Sequence, residues 1–141
     1  MRVVIDSSVV VAALATPNPE SASRVVLVAV ATGAVELLIT DELEAEYRRA
    51  IEYPQVRRQA AQVDRQEFVD AIVATAERVE PASAAGTVPA DPGDKMVVAA
   101  AVAGEADFLV TLDRHLLDLV GLPGVVIVRP GDFLRELRAH H

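Results

Sequence analysis

The sequence predicts an α/β protein with a central parallel sheet that helices cover on both faces. Strand-like and helix-like segments alternate from one end of the chain to the other, which is the pattern of parallel strands joined by helical crossovers. The strand-like segments are short apolar runs, such as residues 108–112, as expected of strands buried on both sides. With 141 residues, the chain has the size of a single domain, residues 1–141.

Apolar runs and helical periodicity place the individual elements in order along the chain. The predicted strands are residues 1–5, 35–39, 78–81, 108–112 and 125–128, of which 78–81 has the weakest pattern. The predicted helices are residues 7–14, 21–31, 42–51, 55–62, 68–76, 95–103, 114–120 and a terminal helix from residue 130. No period of about 20 to 50 residues repeats, so a repeat architecture is excluded.

Capping residues and a glycine mark the ends of several of these helices. Ser7 is expected to cap the first helix, and Asp94 to cap the helix that follows an Asp-Pro-Gly-Asp turn. Asp64 starts a segment with the spacing of a capping box, ahead of the helix at 68–76. Gly104 is expected to end its helix in the left-handed conformation.

The composition excludes several classes of protein. There is no cysteine, so disulfides and thiolate metal sites are excluded and a cytoplasmic location is the default. No apolar run reaches about 18 residues and no signal-peptide pattern is present, so neither a membrane span nor a membrane partner is expected. The net charge of −8 argues against nucleic acid as a purely electrostatic partner. Neighbouring arginines could nevertheless form a local positive surface or a solvated helix face: Arg48, Arg49, Arg57, Arg58 and Arg65.

Aspartates follow two of the predicted strands at the point where each strand ends. Asp6 comes directly after the first strand, and Asp113 directly after residues 108–112. The carboxyl ends of parallel strands lie along one edge of a sheet, and α/β proteins bind ligands outside that edge. The turn that contains Asp91 and Asp94 could supply a third charge there, with the two residues as alternatives for the same position.

Glu46 is a fourth candidate for this edge. It is adjacent to Tyr47 and three residues after Leu43, so it lies at the border of the inward face of the helix at 42–51. At 1.5 Å per residue it is about 7 to 9 Å along the axis from the cap, within reach of the edge for a long side chain.

Four carboxylates at one edge repel one another unless a cation offsets their charge. Oxygen ligands without cysteine or histidine favour Mg²⁺ or Mn²⁺. One such ion could activate a water, and a pair roughly 4 Å apart could stabilise both the attacking water and the leaving oxygen of a phosphodiester. The residues therefore indicate metal-dependent chemistry on phosphates.

Three segments resemble a known family in their order and spacing. They read VVIDSSVVVAAL, EYRRAIEYP and DPGDKMVVAAAVAGEADFLVTLDRHLL. They are similar to the PIN-domain ribonucleases, and in particular to the toxin components of VapBC-type toxin–antitoxin pairs. The resemblance implies a three-layer α/β/α PIN-like fold, Mg²⁺- or Mn²⁺-dependent cleavage of RNA, a homodimer, and inhibition by a cognate antitoxin protein.

The resemblance also assigns the site residue by residue. The acids of the family, as catalytic and metal-binding residues, fall on Asp6, Glu46, Asp94 and Asp113. Residues that could support them are Ser7, which stands where the family often has threonine or serine, Thr111, which matches a strand-ending threonine, and Asp91, an additional acid. Two residues depart from the pattern. Ser8 stands where related sequences often have asparagine, and Lys95 follows the third acid, where a cation could weaken metal binding or assist a substrate phosphate.

Two other functions compete with the nuclease. One is a non-catalytic module with the same fold that binds RNA or a protein and cuts nothing. The other is an acidic-site phosphatase or phosphotransfer domain. The second is disfavoured because Asp-Ser-Ser follows the first strand where a dehalogenase-type site has two aspartates flanking one residue.

Overall fold

The structure is a computed structural model that describes residues 1–81, 92–119 and 122–140. Within these ranges the strands are β1 Arg2–Ile5, β2 Glu36–Ile39, β3 Glu77–Arg78, β4 Phe108–Val110 and β5 Val126–Val128. The helices there are α1 Ser7–Ala15, α2 Ala22–Ala31, α3 Asp41–Ala50, α4 Pro54–Arg57, α5 Gln62–Ala74, α6 Pro92–Ala103, α7 Arg114–Leu117 and α8 Pro130–Ala139. None of these helices is long and apolar enough to cross a membrane.

The five strands form one parallel sheet in the order β3-β2-β1-β4-β5. Ile5 of β1 lies beside Val110 of β4, and Val110 lies beside Val128 of β5. The carboxyl ends of these three strands are therefore side by side at one edge. This topology confirms the predicted parallel α/β architecture.

Helices cover both faces of the centre of the sheet. Val3, Val4 and Ile5 are each 0% exposed, although successive strand residues point to opposite faces. The same holds for residues 37–39 of β2. Burial of such side chains contributes about 1.5 to 3 kcal/mol each, so this three-layer core dominates the stability of the fold. At the edge, by contrast, Val126 of β5 is 54% exposed.

Three helix starts differ from those expected. Asp6, not Ser7, occupies the cap position of α1. Helix α6 begins at Pro92, a residue suited to the first helical position, so Asp94 lies in the first turn instead of capping it. Helix α5 begins at Gln62, so Asp64 does not form a capping box. The buried Arg65 donates to the Ala60 carbonyl at 2.9 Å, which anchors the earlier start of α5.

The end of α6 also differs from the prediction. Glu105, with a φ of 51°, takes the left-handed conformation that Gly104 was expected to take. Gly104 is instead required for close packing, since a Cβ atom there would lie 2.6 Å from Cδ1 of Leu38 on β2. The weak strand predicted at 78–81 is observed at Glu77–Arg78, and the Val79 amide extends its pairing by donating to Ile39 at 2.9 Å.

Candidate active site

A pocket of about 410 Å³ opens at the carboxyl edge of the sheet. The acids expected to form the site all line it, although they come from four separate segments: Asp6 after β1, Glu46 on α3, Asp94 on α6 and Asp113 after β4. Its other lining residues are Ser7, Ser8, Val11, Tyr53, Gln55, Val97 and Leu112. The fold thus brings the four acids to one place, and their catalytic role stays a prediction.

Two hydroxyl groups hold the carboxylate of Asp6. Ser8 Oγ donates to Asp6 Oδ2 at 2.6 Å, and Thr111 Oγ1 donates to the same oxygen at 2.9 Å. Each hydroxyl also accepts a backbone amide, Ser8 from Leu112 at 3.1 Å and Thr111 from Asp113 at 3.0 Å. Each hydroxyl oxygen accepts a hydrogen bond from a backbone amide, and its own single hydrogen is donated to Asp6. This network joins the end of β1 to the segment after β4.

Tyr47 supports the end of β1, directly before Asp6. Its ring is fully buried, and its hydroxyl donates to the carbonyl of Ile5, the last residue of β1. Burial raises the pKa of the Tyr47 phenol far above its ordinary value, and the charge of Asp6 adds to this shift. A neutral phenol therefore ties α3 to the strand that carries Asp6, and Glu46 is its neighbour on that helix.

Glu46 lies on the pocket wall with its side chain 22% exposed. It forms an ion pair with Arg49, one turn later on α3, at 2.7 Å. Any ligand of Glu46 must therefore compete with Arg49.

Asp94 and Asp113 both lie at helix starts. Asp94 is only 8% exposed and lies in the first turn of α6, where the helix dipole favours a negative charge. Asp113 caps α7 by accepting the His115 amide at 2.8 Å. Lys95, which follows Asp94, is exposed and does not line the pocket.

The supporting residues have different outcomes. Thr111 is fully buried and bonded to Asp6. Ser7 lines the pocket from the first turn of α1. Asp91 lies outside the described residues. Sequence reasoning noted Ser8 only as a departure and missed its bond to Asp6, because the groups that define that role, Thr111 and the Leu112 amide, are more than 100 residues away in the sequence.

The pocket wall also contains two further polar residues that the sequence analysis missed. Tyr53 is the cap residue of α4 and Gln55 is the second residue of that helix, and Tyr53 is 42% exposed. The only sequence feature near them was Pro54, which predicts a break between helices and gives no indication of a site.

The arginines considered as a positive surface are largely neutralised. Arg48 pairs with Glu44 and Asp70, Arg49 with Glu46, and Arg65 with Glu52. In the described part of the chain, only two of the five, Arg57 and Arg58, form no ion pair. This surface is therefore a weak candidate for nucleic-acid binding.

The donor chemistry of the pocket fits a hard cation, since its carboxylates and hydroxyls offer oxygen alone. As placed, however, no three acidic or histidine side chains among residues 1–81, 92–119 and 122–140 form a ready metal site. The protein itself engages several of them: hydroxyls hold Asp6, Arg49 holds Glu46, and an amide holds Asp113. Mutual repulsion of carboxylates favours such separate partners.

Comparison with known proteins identifies the family. A family model described as the PIN domain matches residues 2–115. A solved structure, VapBC2 from Rickettsia felis bound to a DNA fragment from their promoter, has a similar fold, with a TM-score of 0.55 at 14% identity over 90% of this chain and 97% of that chain. No curated protein matches the sequence. Because the family model covers well over half of the chain, the chain belongs to the PIN domain family.

Proposed function

We propose that this protein is a metal-dependent endoribonuclease, the toxin component of a VapBC-type toxin–antitoxin pair. The observation that carries the proposal is that four acids from four segments line one pocket at the carboxyl edge of a parallel sheet. PIN domains are generally nucleases that use divalent metal ions, and the similar solved structure is a VapBC2 complex. The phosphatase or phosphotransfer alternative has no comparable support, because the chain belongs to the PIN family.

In this proposal Asp6, Glu46, Asp94 and Asp113 hold one or two Mg²⁺ or Mn²⁺ ions. Such an ion, when bound, would polarise a water for attack and neutralise charge on the phosphate. Ser8 and Thr111 fix Asp6 through Oδ2, which leaves the lone pairs of Oδ1 for a ligand. The carboxylate is thereby held in one orientation before any ligand arrives, which reduces the ordering that binding requires.

The uncharged wall of the pocket suits RNA. Tyr53 is 42% exposed beside the acids, and an exposed aromatic residue can stack on an unpaired base. The amide of Gln55 can form hydrogen bonds with base edges. Because the metal meets the phosphate, the overall charge of −8 is compatible with an anionic substrate.

The proposed partners follow from the same family resemblance. They are an RNA substrate, a cognate antitoxin and a second copy of the chain in a homodimer. A cytoplasmic location accords with the lack of cysteine.

A nuclease assay tests the proposal. The purified protein is incubated with single-stranded RNA and Mg²⁺ or Mn²⁺, with and without a chelator, beside the variants Asp6→Asn and Asp64→Asn. Asp64 is an exposed acid outside the pocket, so its variant is a matched control. We expect metal-dependent cleavage by the wild type and the control, and none by Asp6→Asn. Equal cleavage by all three proteins would refute the proposed site.

One observation favours a second candidate, the non-catalytic binding module. The acids already have protein partners and form no ready metal site in the described part of the chain. If the wild type binds RNA with the same affinity in metal and in chelator, and cuts nothing, the module is correct.

A further inference from the structure

A second pocket, of about 350 Å³, adjoins the acidic one, and Leu112 lines both. Its walls include the starts of two ten-residue helices, α2 at Ala22 and Ser23, and α8 at Gly131 and Asp132. The amides of the first helical turn have no partner within the helix, and the helix dipole makes this end positive. Two helix starts that meet in one pocket therefore present several amide donors to an anion.

The capping of these helices leaves donors available. Arg129, at the cap position of α8, makes no side-chain cap bond. Ser21, the cap of α2, accepts only the Arg24 amide, at 3.2 Å, so the amides of Ala22 and Ser23 receive no cap.

Ser23 gives independent evidence for a ligand. Ser23 lines this pocket, yet the residue is only 7% exposed. Its hydroxyl forms no hydrogen bond to any residue in the described ranges, and it is not among the fully buried atoms there, so a molecule in the pocket can reach it. A ligand oxygen in the pocket would satisfy it.

Arg129 gives the pocket its charge. Val128, the residue before it, accepts the Thr111 amide at 3.0 Å, so Arg129 leaves the sheet beside the segment that carries Asp113. Arg129 is exposed, lines the pocket, and forms no ion pair within the described residues. The only acid on this wall, Asp132, pairs with Arg135.

We propose that this second pocket binds a backbone phosphate of RNA next to the phosphate that is cut. The inference rests on the proposed nuclease function and names the substrate contact of that site. A guanidinium group, first-turn amides and a hydroxyl together match the several oxygens of a phosphodiester. The adjoining acidic pocket places the subsite on the path of a bound strand.

Binding measurements test this subsite without cleavage. The affinity of a fluorescent single-stranded RNA is measured against salt concentration in the Asp6→Asn background, and Arg129→Gln is added. Loss of one charged phosphate contact predicts a Kd about tenfold higher, and a plot of log affinity against log salt with a slope about 0.7 smaller in magnitude.

Arg138→Gln is the matched control, because it makes the same charge change in the last turn of α8 and does not line the pocket. We expect it to leave Kd and slope unchanged. Ser23→Ala is expected to raise Kd about threefold through the loss of one neutral hydrogen bond. Circular dichroism checks that each variant is folded.

Amide NMR spectra distinguish the source of the phosphate. Inorganic phosphate and a short RNA are titrated separately, and the Ser23 and Gly131 amide signals should shift with both, but not in Arg129→Gln. Shifts with inorganic phosphate alone would overturn the RNA assignment. An unchanged Kd and salt slope in Arg129→Gln would also overturn it. The same holds if Arg129→Gln loses antitoxin binding but keeps RNA binding.

The subsite and the nuclease can fail separately. If the wild type does not cut RNA in Mg²⁺ or Mn²⁺, the proposed function fails, whatever Arg129 does. If the wild type cuts and the Arg129→Gln variant binds RNA as well as its parent, only the subsite fails.

Discussion

At the amino edge of the sheet, Arg2 binds acidic residues that lie at the start of a strand or directly before one. Arg2 pairs with Glu36 at 3.1 Å and with Glu77 at 2.6 Å, and its amide donates to Asp107 at 2.9 Å. The hydrogen bond to Glu77 is the main cause of the raised pKa of Arg2. Glu36, Glu77 and Asp107 are thus each paired with the guanidinium or the amide of Arg2.

At the carboxyl edge, Asp6, Asp94 and Asp113 share one pocket, and no cationic residue is among those that line it. Hydroxyls and amides, which carry no net charge, hold Asp6 and Asp113. Acidic residues are therefore paired with a cation at the amino edge, whereas at the carboxyl edge they leave an excess of negative charge in the pocket. That excess is what a divalent ion would offset.

The strongest test of this contrast neutralises an acid at one edge and the cation at the other. Asp113→Asn is expected to lower metal-dependent cleavage by at least about 100-fold, while its melting temperature without metal stays the same or rises as repulsion is relieved. Arg2→Gln should lower the melting temperature and leave cleavage unchanged. Kinetic assays and melting curves measure both. Strong destabilisation by Asp113→Asn would instead make that acid structural.

Gly104→Ala probes packing next to the amino edge. The new Cβ would meet Cδ1 of the buried Leu38, and overpacking of this kind costs about 1 to 3 kcal/mol. Urea unfolding measures the loss. Gly131→Ala is the control, since nothing lies within 4 Å of its Cβ position, and it should not destabilise. Equal stability of both variants would contradict this account of Gly104.

Thr111→Val removes one of the two hydroxyls that hold Asp6 and changes little else in shape. It leaves the Asp113 amide without its acceptor, so we expect a loss of about 1 to 2 kcal/mol of stability and of about tenfold in cleavage rate. Substitution by serine, which keeps the hydroxyl, should restore the rate. An inactive Thr111→Ser variant would show that the methyl group, not the hydrogen bond, matters.

Arg49→Gln sharpens the comparison by releasing Glu46 from its ion pair. Calorimetric titration should show Mn²⁺ binding about two- to fivefold tighter, the range expected from a partly exposed pair. Arg57→Gln changes the same charge at a position outside the pocket and should have no effect. Weaker binding in Arg49→Gln would mean that Arg49 positions Glu46 instead of competing for it.

The smallest effect concerns Glu44, on α3 outside the pocket. Its hydrogen bond from Arg78, aided by one from Arg48, lowers its pKa below the ordinary value of 4.5. A carboxyl with a lowered pKa in the folded state adds stability above its unfolded pKa and loses it as the pH falls through the folded one. Urea midpoints should therefore decline less below about pH 4.5 in Glu44→Gln than in the wild type. An identical decline would exclude the pair as its cause.

Sequence patterns were sufficient to place an element where a single local feature determines its position. Apolar runs located β1 and β4, and strand direction alone placed the aspartates that follow them, Asp6 and Asp113, at the carboxyl edge. Local sequence features gave the wrong helix end or start where a contact in the folded protein determines it. The fit of Gly104 depends on Leu38, and the start of α5 is anchored by Arg65.

The site shows the same limit. Asp6 and Asp113 could be named in advance because each follows a strand that the sequence marks. Asp94 lies in a turn that the sequence also marks, and Glu46 borders the inward face of its helix. Ser8 could not be named in advance, because its role depends on Asp6 being bonded at the same time by Thr111, which is 105 positions away from Asp6.

That long-range bond has a consequence for synthesis. During translation, Asp6 is made 105 residues before Thr111, whose hydroxyl holds its carboxylate. A nascent polypeptide therefore carries Asp6 long before the pocket can close around it. If the protein cuts RNA, as proposed, the growing chain cannot do so until the segment after β4 has also left the ribosome.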